Sequence, residues 1–169
     1  TLDPASAAPV RALWQRLATA GIRVMADLGV DPHVSLAVWE ALDVERAAAA
    51  VTALAGETAP VGVTFPEVRA FGNEAVYLWP APSPRLVELQ ARVQARLAPL
   101  GVGASAHYAA AAWVPHCTLA MDLDLTGAAT ARALAAAELA LPLGGRLERM
   151  ALVEFRPVRQ RLSRPLTGR

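Results

Sequence analysis

One short phrase occurs twice in this chain: residues 32–38 read Pro-His-Val-Ser-Leu-Ala-Val and residues 115–121 read Pro-His-Cys-Thr-Leu-Ala-Met. Proline, histidine, leucine and alanine fall at equivalent places, with a hydroxyl residue two past each histidine. Each copy reads as a strand opened by a proline, which can begin a strand but not continue one. Side chains alternate between the faces of a strand. His33, Ser35 and Ala37 therefore share one face, opposite Val34, Leu36 and Val38. His116, Thr118 and Ala120 share the equivalent face, opposite Cys117, Leu119 and Met121. Each copy buries an apolar face and offers an imidazole, a hydroxyl and a small residue on the other. A single His-x-Ser/Thr is weak evidence, since a strand histidine is more often structural. Two of the three histidines in the same context carry more.

Around the two motifs the chain reads as a duplicated unit. Ser6 is expected to cap a helix with Pro9 in its first turn and Val10, Leu13, Trp14 and Leu17 on one face, ended near Gly21. Asp43 is expected to cap a second helix, with Val44, Ala47, Ala48, Val51 and Leu54 inward and Gly56 as its stop. Residues 61–71 and 75–79 read as a hairpin around Gly72-Asn73-Glu74, with Pro66 an edge or bulge position. Residues 80–84, Pro-Ala-Pro-Ser-Pro, read as a rigid connector and lobe boundary. Ser83-Pro84 opens the clearest helix, with Leu86, Leu89, Val93, Leu97 and Leu100 along one side. A small-residue loop over 102–112 leads into the second motif. A helix from about 126 to 138, a turn at Gly144-Gly145 and strands near 147–155 and 158–163 complete the pattern. The order helix, motif strand, helix, hairpin thus runs twice, which points to an α+β duplication rather than alternating βαβ windings.

Composition narrows the function classes. The 169 residues suffice for one domain or two small lobes. The sixteen cationic residues are all arginine, and the net charge is +1. A global attraction to polyanions is absent, so any nucleic-acid contact must be local. Cys117 is the only cysteine, which excludes an internal disulfide and a thiolate-rich metal site, and alternation turns it towards the core. No run of eighteen apolar residues suggests a membrane span, and no signal-like pattern opens the chain. A cytoplasmic monomer without membrane attachment is the expectation.

The paired Pro-His-Val-Ser-Leu-Ala and Pro-His-Cys-Thr-Leu-Ala motifs, with a Leu-Trp-containing strand and a long helix before the second, resemble the 2H phosphoesterases, and specifically the bacterial 2′-5′ RNA ligase-like branch. The resemblance spans about residues 8–163. It implies two pseudo-symmetric lobes, each an antiparallel sheet with outer helices, around a central cleft lined by both motifs. It also implies His33 and His116 as the catalytic histidines and Ser35 and Thr118 as the hydroxyls that hold the phosphate. The family often has threonine at both hydroxyl positions; Ser35 keeps the hydrogen-bonding group without the methyl that restricts the rotamer. The implied partners are RNA ends or small nucleotides with a cyclic phosphate. Hydrolysis to a 2′-phosphate is implied, with His116 as base and His33 as acid, and reversible 2′-5′ ligation is the family label.

The chemistry stands apart from the name. Opening a cyclic phosphodiester needs a base for water, an acid for the leaving alkoxide and donors for the nonbridging oxygens. Two histidines of ordinary pKa about 6.5 fill the first two roles when one is neutral and the other protonated. Two hydroxyls supply the third, so the scheme calls for no metal or cofactor. A metal site is the chemical competitor, but two imidazoles fall short of a closed ligand set and no carboxylate sits on the motif faces. For binding the rest of a nucleotide, Tyr108 and Trp113 before the second motif and Trp39 after the first are the aromatic candidates, and Arg156 and Arg159 the cationic ones. Core packing accounts equally well for the tryptophans, and solvated surface charge for the arginines. A binding module using the same residues without turnover is the alternative from another class.

Overall fold

Asp3 begins the folding pattern. In the computed structural model, which describes residues 1–155 and 157–169, its carboxylate accepts the main-chain N–H groups of Ala5 and Ser6, both at 3.1 Å, and caps helix α1 (Pro4–Thr19). The cap falls three residues before the expected Ser6, because Pro4 supplies a preset φ at the first helical position. Ser6 and Pro9 lie inside the helix. The expected apolar stripe is present, with Val10, Leu13, Trp14 and Leu17 all buried.

The chain divides into two compact units, and neither is a contiguous half of the sequence. The first comprises residues 1–34, 62–81 and 116–147. It contains α1, the short helix α2 (Val24–Asp27) and a three-stranded sheet ordered β3 (Glu67–Phe71), β4 (Ala75–Trp79), β6 (Cys117–Met121). Both pairings in that sheet are antiparallel. Helix α5 (Leu125–Glu138) packs on all three strands and on α1. Its inward face is Ala128, Ala131 and Ala135, each fully buried, and such small side chains permit close approach to the sheet. Val76, Leu78, Cys117 and Leu119 form the buried side of the strands. Pro66 divides the segment expected as one strand into β2 (Val61–Phe65) and β3, since it lacks the N–H that a continuous ladder needs.

Strand β7 (Leu143–Leu147) pairs with β2 and includes the glycines expected as a turn. A Cβ on Gly145 would overlap the Ser6 side chain, so glycine at this point lets the strand lie against the first turn of α1. The Arg146 N–H donates to the Asp3 carboxylate at 2.7 Å, and Asp3 N–H returns to the Arg146 carbonyl at 2.8 Å. Cap and strand are thus one hydrogen-bonded junction.

The second unit comprises residues 35–61, 82–115 and 148–169. Strand β1 (Trp39–Leu42) pairs antiparallel with β5 (Gly101–Ala104), and β8 (Arg149–Glu154) with β9 (Arg159–Pro165). Helix α3 (Val44–Glu57) packs on β8, β9 and α4 (Pro84–Leu97). Asp43 and Ser83 cap these two helices as expected, accepting from Arg46 N–H and Leu86 N–H at 3.1 and 3.3 Å. Gly56 does not stop α3, which continues to Glu57. The loop expected over 102–112 gives up its first residues to β5 and contains a 3₁₀ turn at Ala106–Tyr108. The chain passes from the first unit to the second between Ala81 and Pro82, within the proline-rich connector.

The two motifs fold differently. The second is strand β6, with Cys117 and Leu119 in the core, although Ala120 is buried as well. The first is not a regular strand: residues 33–38 have no ladder partner in a sheet among the described residues, and β1 starts only at Trp39. Val34 is buried, Leu36 is half-buried and Val38 is exposed, so the alternation expected of a strand is lost after one step.

Candidate active site

His33 and His116 both lie in the first unit. The segment carrying His33 is tied at its base by Leu2, whose N–H donates to the Pro32 carbonyl at 2.9 Å. The His33 imidazole sits with Nδ1 2.7 Å from the carbonyl oxygen of Asp31. A carbonyl only accepts, so Nδ1 carries the proton and Nε2 is left with the lone pair in the neutral ring. Burial holds the His33 pKa below its ordinary value; the Asp31 carbonyl works in the opposite direction, and the charge of His116 adds to the lowering. The His33 backbone also hydrogen-bonds the Cys117 thiol, which joins the first motif to the second. Burial pushes that thiol up to about 12, so Cys117 is core material rather than a nucleophile.

Across β3–β4–β6, register puts Arg69, Tyr77 and Thr118 in one cross-strand row. The face opposite the α5 side thus carries Thr118 from the second motif together with Tyr77 and Arg69. The Thr118 main chain is braced from α1, where the Trp14 indole N–H donates to its carbonyl at 3.2 Å. The His116 ring lies 5.2 Å from the Phe71 ring and 5.4 Å from the Tyr77 ring, edge-on to both at 85° and 60°. Phe71 and Tyr77 are stacked on each other at 4.3 Å. Perpendicular aromatic packing of this kind restricts the plane of the imidazole. Phe71 and Tyr77 were legible only as hairpin residues; their role beside His116 emerges from the register, which no local pattern supplies.

Ser35 belongs to the second unit, two residues along the chain from His33. Its hydroxyl hydrogen-bonds the Tyr108 phenol, whose pKa burial raises and that bond partly lowers. The Trp113 indole N–H donates to the Ser35 carbonyl at 3.1 Å. Gln90, fully buried on α4, donates to the carbonyls of Tyr108 and Leu36 at 2.8 and 3.3 Å, and Gln94 repeats the pair at 2.9 and 3.4 Å. Side-chain amides therefore replace the missing ladder along this part of the first motif, and they account for how an irregular segment keeps its shape. Trp113, expected as a stacking surface, has its polar edge committed to the main chain of Ser35. Tyr108 is half-buried on its 3₁₀ turn, and Trp39 is half-buried opposite Ala104.

Arg159 is exposed at the start of β9. The other expected cation, Arg156, lies outside the described residues. A shallow depression lined by Leu54, Arg92, Ala95, Arg96 and Pro99 lies on α3 and α4, in the unit that holds neither motif histidine. Among the described residues no group of three or more His, Cys, Asp or Glu side chains is placed to hold a metal ion, and no helix is long and apolar enough to cross a membrane.

Small antiparallel sheets backed by helices, with two histidine-hydroxyl motifs joined through Cys117 and His33, define an α+β protein of the two-histidine phosphoesterase type. The chain belongs to the 2′-5′ RNA ligase superfamily, whose family model matches residues 2–159. A search of curated proteins finds no match.

Proposed function

We propose that this protein is a metal-independent phosphoesterase that opens 2′,3′-cyclic phosphates of RNA ends or nucleotides to 2′-phosphates, with His33 and His116 as the acid–base pair. The observation that carries this reading is geometric: both motif histidines lie in one compact unit, where the His33 backbone hydrogen-bonds the thiol of Cys117, the residue next to His116. Acid–base catalysis of ring opening needs one imidazole neutral and the other protonated. With Nδ1 held by Asp31, the transferable position of His33 is Nε2. Thr118, in the same unit as both histidines, provides a hydroxyl donor for a nonbridging oxygen, and Ser35 is the matching hydroxyl of the first motif.

In the direction of hydrolysis His116 takes the proton from water and His33 delivers one to the leaving 3′-oxygen. Attack on phosphorus and departure of that oxygen leave the phosphate on the 2′-oxygen. The anionic substrate opposes the lowering of the His33 pKa, so the proton enters His33 on binding. Reversible 2′-5′ ligation is the same chemistry run with an RNA hydroxyl in place of water.

The deciding experiment is turnover of a short RNA with a terminal 2′,3′-cyclic phosphate in EDTA, with phosphorus NMR of the product. Ring opening to a 2′-phosphate, abolished in both His33→Ala and His116→Ala, is expected. Activity that disappears with EDTA and returns with a divalent ion, or that survives either substitution, contradicts the reading.

A further inference from the structure

The face that carries Thr118 also carries a cation that the acid–base scheme does not use. Arg69 stands in the same cross-strand row as Thr118, separated from it by Tyr77. Two strand spacings put the two Cα atoms roughly 10 Å apart, within the reach of an arginine side chain and one substrate residue. The Arg69 guanidinium lies 3.6 Å from the centroid of the Trp79 ring. Leu78 pairs with Cys117, so the β4–β6 ladder ends one residue short of Trp79 and His116. The guanidinium is therefore held over Trp79, on the face of the sheet that carries Thr118.

It is held in one orientation. Nε and Nη2 both donate to Oε1 of Glu67, at 2.8 and 2.5 Å, and the indole covers one face of the group. Glu67 offsets part of the charge but fixes the plane. Among the described residues the Nη1 amino group has no hydrogen-bond partner, and the side chain is 43% exposed. A planar donor fixed on two sides and open on the third suits a phosphate oxygen better than a flexible cation does. A brace that merely shields Trp79 would need no open amino group on the side of the sheet where Thr118 stands.

We infer that Arg69 forms a subsite for a second phosphate, adjacent to the phosphate held at His116 and Thr118. The preferred ligand then bears a phosphate besides the reacting one, either a 5′-phosphate or an internucleotide phosphate. This inference rests on the phosphoesterase reading for the position of the first phosphate.

The test is calorimetric binding of three products, uridine 2′-phosphate, uridine 2′,5′-bisphosphate and the dinucleotide UpU 2′-phosphate, to the wild type, Arg69→Gln and Arg69→Lys. Turnover of the corresponding cyclic phosphates is measured in the same buffers. One or both two-phosphate probes are expected to bind the wild type about tenfold or more tightly than the monophosphate, as one charge-assisted contact would give. Arg69→Gln is expected to erase that gain, and Arg69→Lys to keep part of it. The bisphosphate arm against the dinucleotide arm separates the two sources of the second phosphate. No gain in the wild type, or an equal gain in Arg69→Gln, overturns the subsite even where turnover is intact. A gain that depends on Arg69 without turnover of any cyclic probe supports the subsite and removes the phosphoesterase reading.

Discussion

His33 Nδ1 lies 2.7 Å from the main-chain carbonyl of Asp31, so the backbone itself selects the tautomer of the first motif histidine. Nitrogen-detected NMR of the free protein is expected to find His33 with Nδ1 protonated and Nε2 bare near neutral pH. Its titration is expected below the ordinary value near 6.5, because burial disfavours the charged ring. Adding a nucleoside 2′-phosphate should move that titration upward. A His33 that titrates at or above the free imidazole value without ligand would contradict the geometry.

The same shift makes stability depend on pH. With its pKa lowered in the folded state, His33 stays neutral there while the unfolded chain takes up a proton as pH falls through 6.5. The unfolded state then binds more protons, so the stability present above 6.5 declines as pH falls towards the folded pKa. Chemical unfolding between pH 8 and 5 is expected to follow that slope, and His33→Gln to flatten it. An unchanged slope in the variant would assign the dependence to other groups.

Much of this arrangement is legible in the sequence because it is local. The duplicated motif identifies His33, Ser35, His116 and Thr118 without any structure, and the caps at Asp43 and Ser83 follow from residue type and position. What escapes is set by residues distant in the chain. Residues 33–38 have the alternation of a strand, yet among the described residues no strand pairs with them, and Gln90 and Gln94 donate to the Leu36 carbonyl from α4. Phe71 reaches His116 only through the β3–β4–β6 register. Gly145 reads as a turn residue until Ser6 is found against it.

The bond from Trp113 to Ser35 separates two roles for that tryptophan. Trp113→Phe keeps an aromatic face but leaves the Ser35 carbonyl without the indole donor, which is expected to cost about 1 kcal/mol of stability. If Trp113 acts by positioning Ser35, kcat falls with little change in KM, and Trp113→Phe resembles Ser35→Ala in combination as well as alone. A rise in KM with kcat preserved would instead make the ring a contact for the substrate base.

Cys117 offers a test of the core that requires no substrate. Its thiol is fully buried and its pKa is pushed up to about 12 by burial, so almost no thiolate exists at pH 8. Reaction with an aromatic disulfide reagent is expected to be slow in the native protein and fast in denaturant, with the native rate tracking transient opening. Cys117→Ser is expected to destabilise by about 1 kcal/mol, as a hydroxyl is costlier to bury than a thiol even with the His33 backbone as its partner. Rapid native labelling would mean that β6 is not the core strand described.

Asp3 joins the start of α1 to β7, and its chemistry predicts an acid-sensitive junction. Burial alone would raise its pKa, but the Ser6 hydroxyl and the N–H groups of Arg146, Ser6 and Ala5 outweigh that and hold it down at about 2, well below the ordinary carboxylate value. A depressed carboxylate contributes stability above its unfolded pKa and loses it as pH falls through the folded one. Asp3→Ala is therefore expected to cost about 1–2 kcal/mol at neutral pH, the usual range for losing a helix N-cap. The gap between wild type and variant should close between pH 4 and pH 2, as the wild-type carboxylate takes up its proton. Gly145→Ala attacks the same junction by volume, since its methyl would overlap Ser6, and should destabilise at every pH. Urea unfolding of both variants across that range separates the two causes: a pH-independent loss in Asp3→Ala would remove the carboxylate from the account and leave only the packing of α1 on β7.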